Sequence, residues 1–298
     1  MSSSLVSASW LHANLDSSRS KVKVLDCSWH LPTANRSART EYAESHIPGA
    51  QFFDIDSIKD LSKGDLPHML PPATFFGSSM NRFGITSSDH VVLYDTWGVG
   101  PACRVLWTFH AMGHDKVSVL NGGLAAWTKE GYTVAKGEPS ENQAGGQLAY
   151  QPHEDPLLVC SYADVVGNIE QLKAGKGSDA KQIVDARPHA RFTGEAPEPR
   201  AGLSSGHMPH SVSVPATEMT TVVDGVQVLK SPAEIRKVFE DRGVDLSRPI
   251  ITSCGSGVTA AILYFALLNA GVPRELITLY DGSWTEYALN PHSEIIKG

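Results

Sequence analysis

The chain has 298 residues, of which 41% are hydrophobic and 19% are charged, and this length and composition are typical of a globular protein with two domains. Its formal net charge of −7 argues against sequence-independent binding to nucleic acid or to an anionic membrane surface, since both require a basic field. The longest apolar run, at 260–268, is too short to cross a bilayer, and four cysteines do not make a disulfide framework, which favours a reducing compartment.

The amino-terminal segment lacks the basic region and apolar core that mark a secretory signal, and it is not rich in arginine. A helix-like pattern begins at Leu5, which leaves almost no room for a presequence. These features favour a cytoplasmic protein, with a mitochondrial location as the second expectation.

The sequence repeats itself with an offset of about 159 residues. The matching segments are 24–26 and 183–185, 45–49 and 206–209, 72–73 and 232–233, 84 and 243, 91–95 and 250–254, 111–113 and 269–271, and 121–123 and 281–283. This agreement predicts a tandem duplication. Since residues 136–147 are rich in Gly, Glu, Ser and Asn, we expect domains at 5–135 and 157–298, joined by a linker at 136–156.

Strand and helix patterns alternate within each copy. In the second copy, strands are predicted at 181–186, 248–253 and 276–280, and a helix at 258–269. Ser231, Pro232 and Glu234 form a capping box with proline at the first helical position, and they predict a helix that ends at Gly243. The alternation predicts an α/β fold in each copy, with a mainly parallel sheet flanked by helices.

A candidate active site lies at 251–260, where a predicted strand ends in a loop of small residues and a helix begins. Gly255 and Gly257 allow successive backbone N–H groups to converge on the side chain of Cys254. The amino terminus of the helix adds partial positive charge at the same place. Both features stabilise a thiolate, so Cys254 is predicted to act as a nucleophile or as a carrier of anionic sulfur.

The loop 254–260, CGSGVTA, together with the duplication resembles the two-domain rhodanese-type sulfurtransferases. The resemblance covers nearly the whole chain. It includes segments 28–32, 46–56 and 68–71 in the first copy, and segments 191–200, 206–209 and 280–284 in the second copy. It implies tandem rhodanese-like domains, and the chain is most similar to those family members that take sulfur from 3-mercaptopyruvate.

The resemblance implies that the Cys254 thiolate accepts sulfur, releases pyruvate and passes the sulfur to thioredoxin, another thiol or cyanide. It also implies that Arg191 and Arg200 hold the carboxylate and carbonyl of the donor, a task that suits the planar guanidinium. The other residues expected to line the substrate site are Gly255, Gly257, Val258 and Thr259. No cofactor, metal ion, nucleic acid or membrane is implied.

Without the resemblance, Arg191 and Arg200 are expected to form salt bridges with Glu195 and Glu198. The sequence leaves two roles open for Arg187, which are pairing within the domain and contact with the substrate.

The resemblance further implies a relay of Ser256, His68 and Asp56 that handles protons on the donor thiol. The segment between Asp56 and His68 is one residue longer than the family pattern. Asp54 and Asp65 are therefore alternative partners of His68.

The repeat indicates which copy is active. Asp95 stands in the first copy where Cys254 stands in the second, and a carboxylate cannot accept sulfur as a nucleophile, so the first domain is predicted to be inactive. His46 and His207 occupy matching places in both copies and are therefore predicted to be structural. The remaining cysteines show no metal-ligand spacing and are expected to be buried thiols; they are Cys27, Cys103 and Cys160.

Spacing excludes two other classes of enzyme. A cysteine-dependent phosphatase needs an arginine where the chain has Ala260, and a serine hydrolase needs a glycine where the chain has Cys254. Two alternatives stay open. A thiosulfate sulfurtransferase carries, by family resemblance, basic residues just after the cysteine, whereas Gly255 and Ser256 are uncharged. A non-catalytic sulfur carrier or docking protein would lack the active cysteine.

Overall fold

The computed structural model describes residues 4–15, 21–138, 150–175 and 180–298, and these residues form two compact units. Unit 1 contains the described parts of Met1–Leu61 and Leu70–Asp155 together with Thr221–Leu229. Unit 2 contains Ser62–Met69, the described parts of Pro156–Thr220, and Lys230–Gly298. Most of the predicted linker, at 139–149, lies outside the described residues.

Unit 1 is built on a five-stranded parallel sheet with the strand order β1-β5-β4-β2-β3. Its elements are β1 (Leu5–Val6), α1 (Ala8–Leu15), β2 (Val22–Asp26), α2 (Ala38–Glu44), β3 (Gln51–Phe52), α3 (Ala73–Arg82), β4 (His90–Tyr94), α4 (Pro101–Ala111), β5 (Val117–Leu120) and α5 (Gly123–Lys129). Residues 91–94 of the central strand are buried, as expected for a parallel sheet that is covered by helices.

The elements that follow in the chain repeat this arrangement in unit 2, apart from a two-stranded hairpin at 220–229 that belongs mostly to unit 1. They are β6 (Val159–Cys160), α6 (Tyr162–Lys173), β7 (Gln182–Asp185), α7 (His189–Thr193), β8 (Ser211–Ser213), β9 (Thr220–Val223), β10 (Val226–Leu229), α8 (Pro232–Glu240), β11 (Ile250–Ser253), α9 (Val258–Asn269), β12 (Ile277–Tyr280) and α10 (Ser283–Leu289). The second parallel sheet has the order β6-β12-β11-β7-β8, which matches the first sheet strand for strand. The predicted duplication and the α/β fold are confirmed.

Two local predictions have opposite outcomes. The capping box is present, since the Ser231 hydroxyl accepts from the N–H of Glu234 and the Glu234 carboxylate accepts from the N–H of Ser231 at 3.0 Å. The helix-like pattern at Leu5 is wrong for its first residues, because β1 pairs with β5 and the helix begins at Ala8. Backbone pairing with the sheet outweighs the local helix preference there, which is a weak determinant.

His46 and His207 hold equivalent turns, in agreement with their predicted structural role. Nδ1 of His46 lies 2.8 Å from the carbonyl oxygen of Tyr42, and the two rings stack at 4.2 Å. Nδ1 of His207 lies 2.9 Å from the carbonyl oxygen of Phe192, and these rings stack at 3.9 Å.

Two segments depart from the predicted domain boundaries. Residues of the β9–β10 hairpin, Thr221–Leu229, belong to unit 1, where the N–H of Leu229 donates to Asn121 Oδ1 at 3.0 Å. Ser62–Met69 comes from the first half of the sequence and belongs to unit 2. The repeat alone does not reveal these exchanges, because they depend on tertiary packing.

Helix α9 is buried along most of its length, since it packs against β11, β12 and α8. This packing explains why it is apolar on all sides. None of the helices in the described residues combines the length and the apolar character that a bilayer span requires.

Candidate active site

The loop that carries Cys254 connects β11 to α9 in unit 2. β11 lies in the middle of its sheet, so the loop leaves the carboxyl edge of the central strand, where functional groups collect in parallel α/β folds. Gly257 caps α9 with φ of +79°, a left-handed conformation that glycine adopts without steric cost. The side chain of Cys254 is buried within this turn.

The backbone of the loop is held by the first residues of α10. The N–H of Trp284 donates to the carbonyl oxygen of Cys254 at 2.9 Å, and the Ser283 hydroxyl accepts from the N–H of Cys254 at 3.2 Å. Thr285 donates twice to the carbonyl oxygen of Gly255, from its N–H at 3.0 Å and from its hydroxyl at 2.6 Å. The sequence marks 280–284 as a motif but does not assign this role to it, because the partners lie about 30 residues apart.

Arg191 and Arg200 both lie beside the loop. Nη2 of Arg191 is 3.2 Å from the point that a Cβ atom on Gly255 would occupy, and Nη1 of Arg200 is 3.9 Å from the same point. The structure therefore brings the two predicted substrate-binding arginines together at the residue that follows Cys254.

Glu198 is shared between Arg187 and Arg191. Nη1 of Arg187 donates to the Glu198 carboxylate at 2.8 Å, and Arg191 donates through Nε at 3.2 Å and also through Nη2. The side chain of Glu198 is 2% exposed and that of Arg191 is 18% exposed. The salt bridge between Arg191 and Glu198 is thus present, and it coexists with the position of Arg191 next to the loop.

Arg187 is a buried structural cation. Its Nη2 donates to Asp185 at 2.6 Å and to the carbonyl oxygen of Gly206 at 2.7 Å, and its guanidinium lies 4.1 Å from the ring centre of Trp284. Burial lowers the pKa of Arg187, but the adjacent carboxylates of Asp185 and Glu198 outweigh burial and raise it. With 1% of its side chain exposed, Arg187 pairs within the unit, which is one of the two roles that the sequence leaves open.

The equivalent loop of unit 1 holds a carboxylate. Oδ1 of Asp95 accepts from the N–H groups of Trp97 and Gly98, both at 2.8 Å, and Oδ2 accepts from those of Gly100 and Ala102, both at 2.9 Å. Burial raises the pKa of Asp95 to about 6, although the four hydrogen bonds lower it. A loop of this design therefore directs several backbone amides at an acidic side chain.

The residues of the expected relay divide between the two units. Ser256 and His68 are buried and belong to unit 2, and His68 has φ of +59°, a conformation that is strained for a residue other than glycine. Asp56 belongs to unit 1, where it accepts a hydrogen bond from Nε1 of Trp29 at 2.8 Å.

The alternative carboxylates lie in different surroundings. Asp54 accepts from the N–H of Asp56 at 2.9 Å and from the hydroxyl of Ser57 at 2.6 Å, so it is engaged in a local turn. Asp65 is exposed. Asp56 is exposed as well, so exposure does not decide between these carboxylates.

The other three cysteines are buried free thiols, as expected. Burial raises the pKa of Cys27 and Cys103, and it raises that of Cys160 to about 12. A thiol with a raised pKa is a poor nucleophile at neutral pH. Within the part of the chain that the structure describes, no cluster of histidine, cysteine and acidic side chains could hold a metal ion.

Unit 2 thus places a cysteine on a strand–loop–helix turn beside two guanidinium groups. Backbone amides of such a turn stabilise negative charge on sulfur, and guanidinium groups bind a carboxylate in two-point fashion. The arrangement can bind an anionic donor and present Cys254 to it as a nucleophile.

Comparison with known proteins agrees with this geometry. A model of the rhodanese-like domain matches residues 7–130 and 168–290. The chain is 40% identical to 3-mercaptopyruvate sulfurtransferase of Rattus norvegicus, over 97% of this chain and 93% of the rat protein. It is also 40% identical to thiosulfate sulfurtransferase of Rattus norvegicus, over 95% of this chain and 91% of that protein. The crystal structure of SseA from Escherichia coli, described as a 3-mercaptopyruvate sulfotransferase, has a TM-score of 0.78 and 35% identity, over 95% of this chain and 99% of that chain.

Proposed function

The chain belongs to the rhodanese-like family, and we propose that it is a sulfurtransferase that moves sulfur from 3-mercaptopyruvate to a thiol acceptor through a persulfide on Cys254. The observation that carries this proposal is the intact cysteine loop with Arg191 and Arg200 beside Gly255. A protein that only docks partners does not need these features together, and unit 1 has Asp95 in the corresponding loop.

In the first half of the reaction, the Cys254 thiolate attacks the sulfur atom of 3-mercaptopyruvate. The bond between that sulfur and the adjacent carbon breaks, and its electron pair leaves with the carbon as the enolate of pyruvate. The sulfhydryl proton passes to the enolate, which yields pyruvate and the Cys254 persulfide. The loop amides hold the negative charge that stays on the sulfur pair.

Arg191 and Arg200 bind the carboxylate and the carbonyl of the donor. Gly255 lacks a side chain at the point that both guanidinium groups approach, so the donor has room to reach them while its sulfur is at Cys254. The remaining loop residues line the donor sulfur; they are Gly257, Val258 and Thr259.

Ser256, His68 and Asp56 control the proton on the donor thiol. Imidazole is the side chain best suited to moving a proton near neutral pH, and a buried serine hydroxyl two residues after the nucleophile can pass that proton on. The burial of Ser256 and His68 within the same unit supports this assignment.

In the second half of the reaction, the thiolate of the acceptor attacks the outer sulfur of the persulfide. The sulfur–sulfur bond breaks, its electron pair returns to Cys254, and the acceptor leaves as a persulfide. A small thiol or thioredoxin can serve as acceptor, and cyanide would leave as thiocyanate.

The loop favours 3-mercaptopyruvate over thiosulfate as the donor. The chain has equal identity to relatives named for each donor, so overall similarity does not decide between them. Gly255 and Ser256 carry no charge, whereas a dianionic donor is best held by basic residues at these positions.

Steady-state release of pyruvate from 3-mercaptopyruvate tests the proposal. We expect the native chain and the control variant Cys160→Ser to release pyruvate, and the mass of the intact protein to rise by one sulfur atom on Cys254. Cys254→Ser should lose both signals. Equal rates with thiosulfate and 3-mercaptopyruvate would overturn the donor preference, and the absence of a mass gain in the native chain would favour a docking protein.

A further inference from the structure

Each unit holds its own loop by a backbone hydrogen bond at the equivalent position. In unit 1 the N–H of Leu124 donates to the carbonyl oxygen of Asp95 at 3.2 Å, and in unit 2 the N–H of Trp284 donates to the carbonyl oxygen of Cys254 at 2.9 Å. This bond makes Leu124 and Trp284 equivalent residues. The residues on either side of them can therefore be compared directly.

The active copy adds two hydroxyl groups to this contact. Ser283 and Thr285 flank Trp284, whereas Gly123 and Ala125 flank Leu124. In unit 2 both hydroxyls bond the loop backbone, Ser283 as acceptor and Thr285 as donor. The corresponding residues of unit 1 have no hydroxyl that could do so.

Ser283 is kept at a conformational cost. Its φ of +49° is close to the +53° of Gly123, and this left-handed region is unfavourable for a residue with a side chain. In unit 1 a side chain is excluded altogether, because a Cβ on Gly123 would lie 2.0 Å from the carbonyl oxygen of Asp95. Unit 2 accommodates Ser283, whose hydroxyl accepts from Cys254 and donates to the carbonyl oxygen of Tyr280 at 2.8 Å. A strained serine in the place of a glycine points to a function for that hydroxyl.

Thr285 determines the direction of one amide group of the loop. In a planar trans peptide the C=O and the N–H point in opposite directions. The carbonyl oxygen of Gly255 accepts two hydrogen bonds from Thr285, so the N–H of Ser256, in the same peptide unit, points away from α10.

The loop of unit 1 shows where that amide is needed. Trp97 is the residue that matches Ser256, and its N–H donates to the Asp95 carboxylate at 2.8 Å. The amide at this position therefore contacts the side chain that replaces Cys254. In unit 2 the equivalent amide is that of Ser256, and a shift of the Gly255 carbonyl would change the direction of this amide relative to the side chain of Cys254.

We propose that Ser283 and Thr285 are positioning residues that act through the loop backbone and aim the amide of Ser256 at the sulfur of Cys254. Their effect on the reactivity of the thiol does not depend on the donor. Their importance for sulfur transfer rests on the proposed function.

Alkylation of Cys254 by iodoacetamide, followed by mass spectrometry of its peptide over a range of pH, tests the proposal without any donor. We expect Thr285→Val to slow alkylation at pH 7 about tenfold and to shift its pH profile upward, because a misdirected amide no longer stabilises the thiolate. Thr285→Ser, which keeps the hydroxyl, should restore the native rate. With 3-mercaptopyruvate, Thr285→Val should lower kcat about tenfold and change KM less than about twofold.

Two further comparisons distinguish a loss of the amide direction from a general loosening of the loop around Cys254. Ser283→Ala and Ser283→Gly should both slow alkylation, although glycine relieves the backbone strain. Thr128→Val removes a similar bond from a hydroxyl to a carbonyl oxygen in α5 of unit 1 and should leave alkylation unchanged. A loop that is merely loosened would expose the buried thiol, so unchanged or faster alkylation of Cys254 in Thr285→Val would overturn the proposal. Equal alkylation rates in Thr285→Ser and Thr285→Val would also overturn it. If the native chain released no pyruvate while the alkylation rates followed this pattern, only the proposed function would fail.

Discussion

The carboxylate of Glu198 accepts hydrogen bonds from the guanidinium of Arg191 in a nearly buried part of unit 2. The same carboxylate accepts from Arg187, which is itself fixed by Asp185. The head group of Arg191 is therefore oriented before any donor binds.

We expect Glu198→Gln to raise the KM for 3-mercaptopyruvate about tenfold and to lower kcat much less. The amide keeps the shape of the carboxylate but removes the charge that orients Arg191 and compensates Arg187. Steady-state kinetics of pyruvate release provide the measurement. Glu195→Gln, at an exposed residue of the same segment, is the matched control and should resemble the native chain. A lower KM in Glu198→Gln would mean that Glu198 only competes with the donor for Arg191.

His68→Ala should slow the formation of pyruvate at least about tenfold, because the donor thiol then loses its path for proton transfer. The rate of alkylation of Cys254 should change little, since the loop amides are untouched. Asp56→Asn should share the effect of His68→Ala, whereas Asp54→Asn and Asp65→Asn should not. If His68→Ala formed pyruvate at the native rate, the relay would have to be abandoned.

The sequence is sufficient to predict the duplication and the strand–loop–helix turn around Cys254, whereas the roles of Arg191 and Arg200 come from the family resemblance and stay predictions. The loop around Cys254 needs small residues in a fixed order, and the capping box at Ser231 depends on residues three positions apart. The hydrogen bonds from α10 to the loop, and those from Arg187 and Arg191 to Glu198, depend on tertiary contacts. The sequence shows that Ser283 and Thr285 are present. The partner of each hydroxyl depends on the tertiary packing that brings the ends of β11 and β12 together.

The same limit explains the domain boundaries. Two segments belong to the unit that the repeat does not predict for them. Ser62–Met69 lies in the first copy but belongs to unit 2, and Thr221–Leu229 lies in the second copy but belongs to unit 1. Nothing in the local composition distinguishes such segments, because their assignment to a unit depends on contacts with residues that are distant in the chain. The exchange places His68, a residue of the proposed relay, in the unit that contains Cys254.

Asp95 should make the free energy of unfolding depend on pH. Its pKa is about 6 in the folded chain, against an ordinary value of 3.8, so the folded state binds this proton more tightly than the unfolded state does. The contribution of Asp95 to stability is therefore fully present below about pH 4 and is lost as the pH rises through 6, by roughly 3 kcal/mol in total.

Urea unfolding of the native chain and of Asp95→Asn between pH 4 and pH 7 measures this effect. The asparagine variant carries a constant penalty, because its amide cannot accept the four hydrogen bonds that the carboxylate accepts. The other acidic groups titrate in both proteins and cancel. The difference in free energy between the native chain and the variant should fall as the pH rises, and a difference that is independent of pH would refute the assignment.

Gly255→Ala should weaken the binding of the donor without unfolding the chain. A Cβ at this position would lie 3.2 Å from Nη2 of Arg191, which is tighter than an ordinary contact, so the guanidinium must move by a few tenths of an ångström. Because catalysis depends on precise placement of the donor, we expect KM to rise about fivefold and the melting temperature to stay close to the native value.

Gly167→Ala, on an exposed face of α6 with open space around the added methyl, is the matched control. It should leave the kinetics unchanged and raise stability by up to about 1 kcal/mol, since alanine favours a helix over glycine. Unchanged kinetics in both variants would show that Arg191 does not bind the donor at the position that the structure gives it.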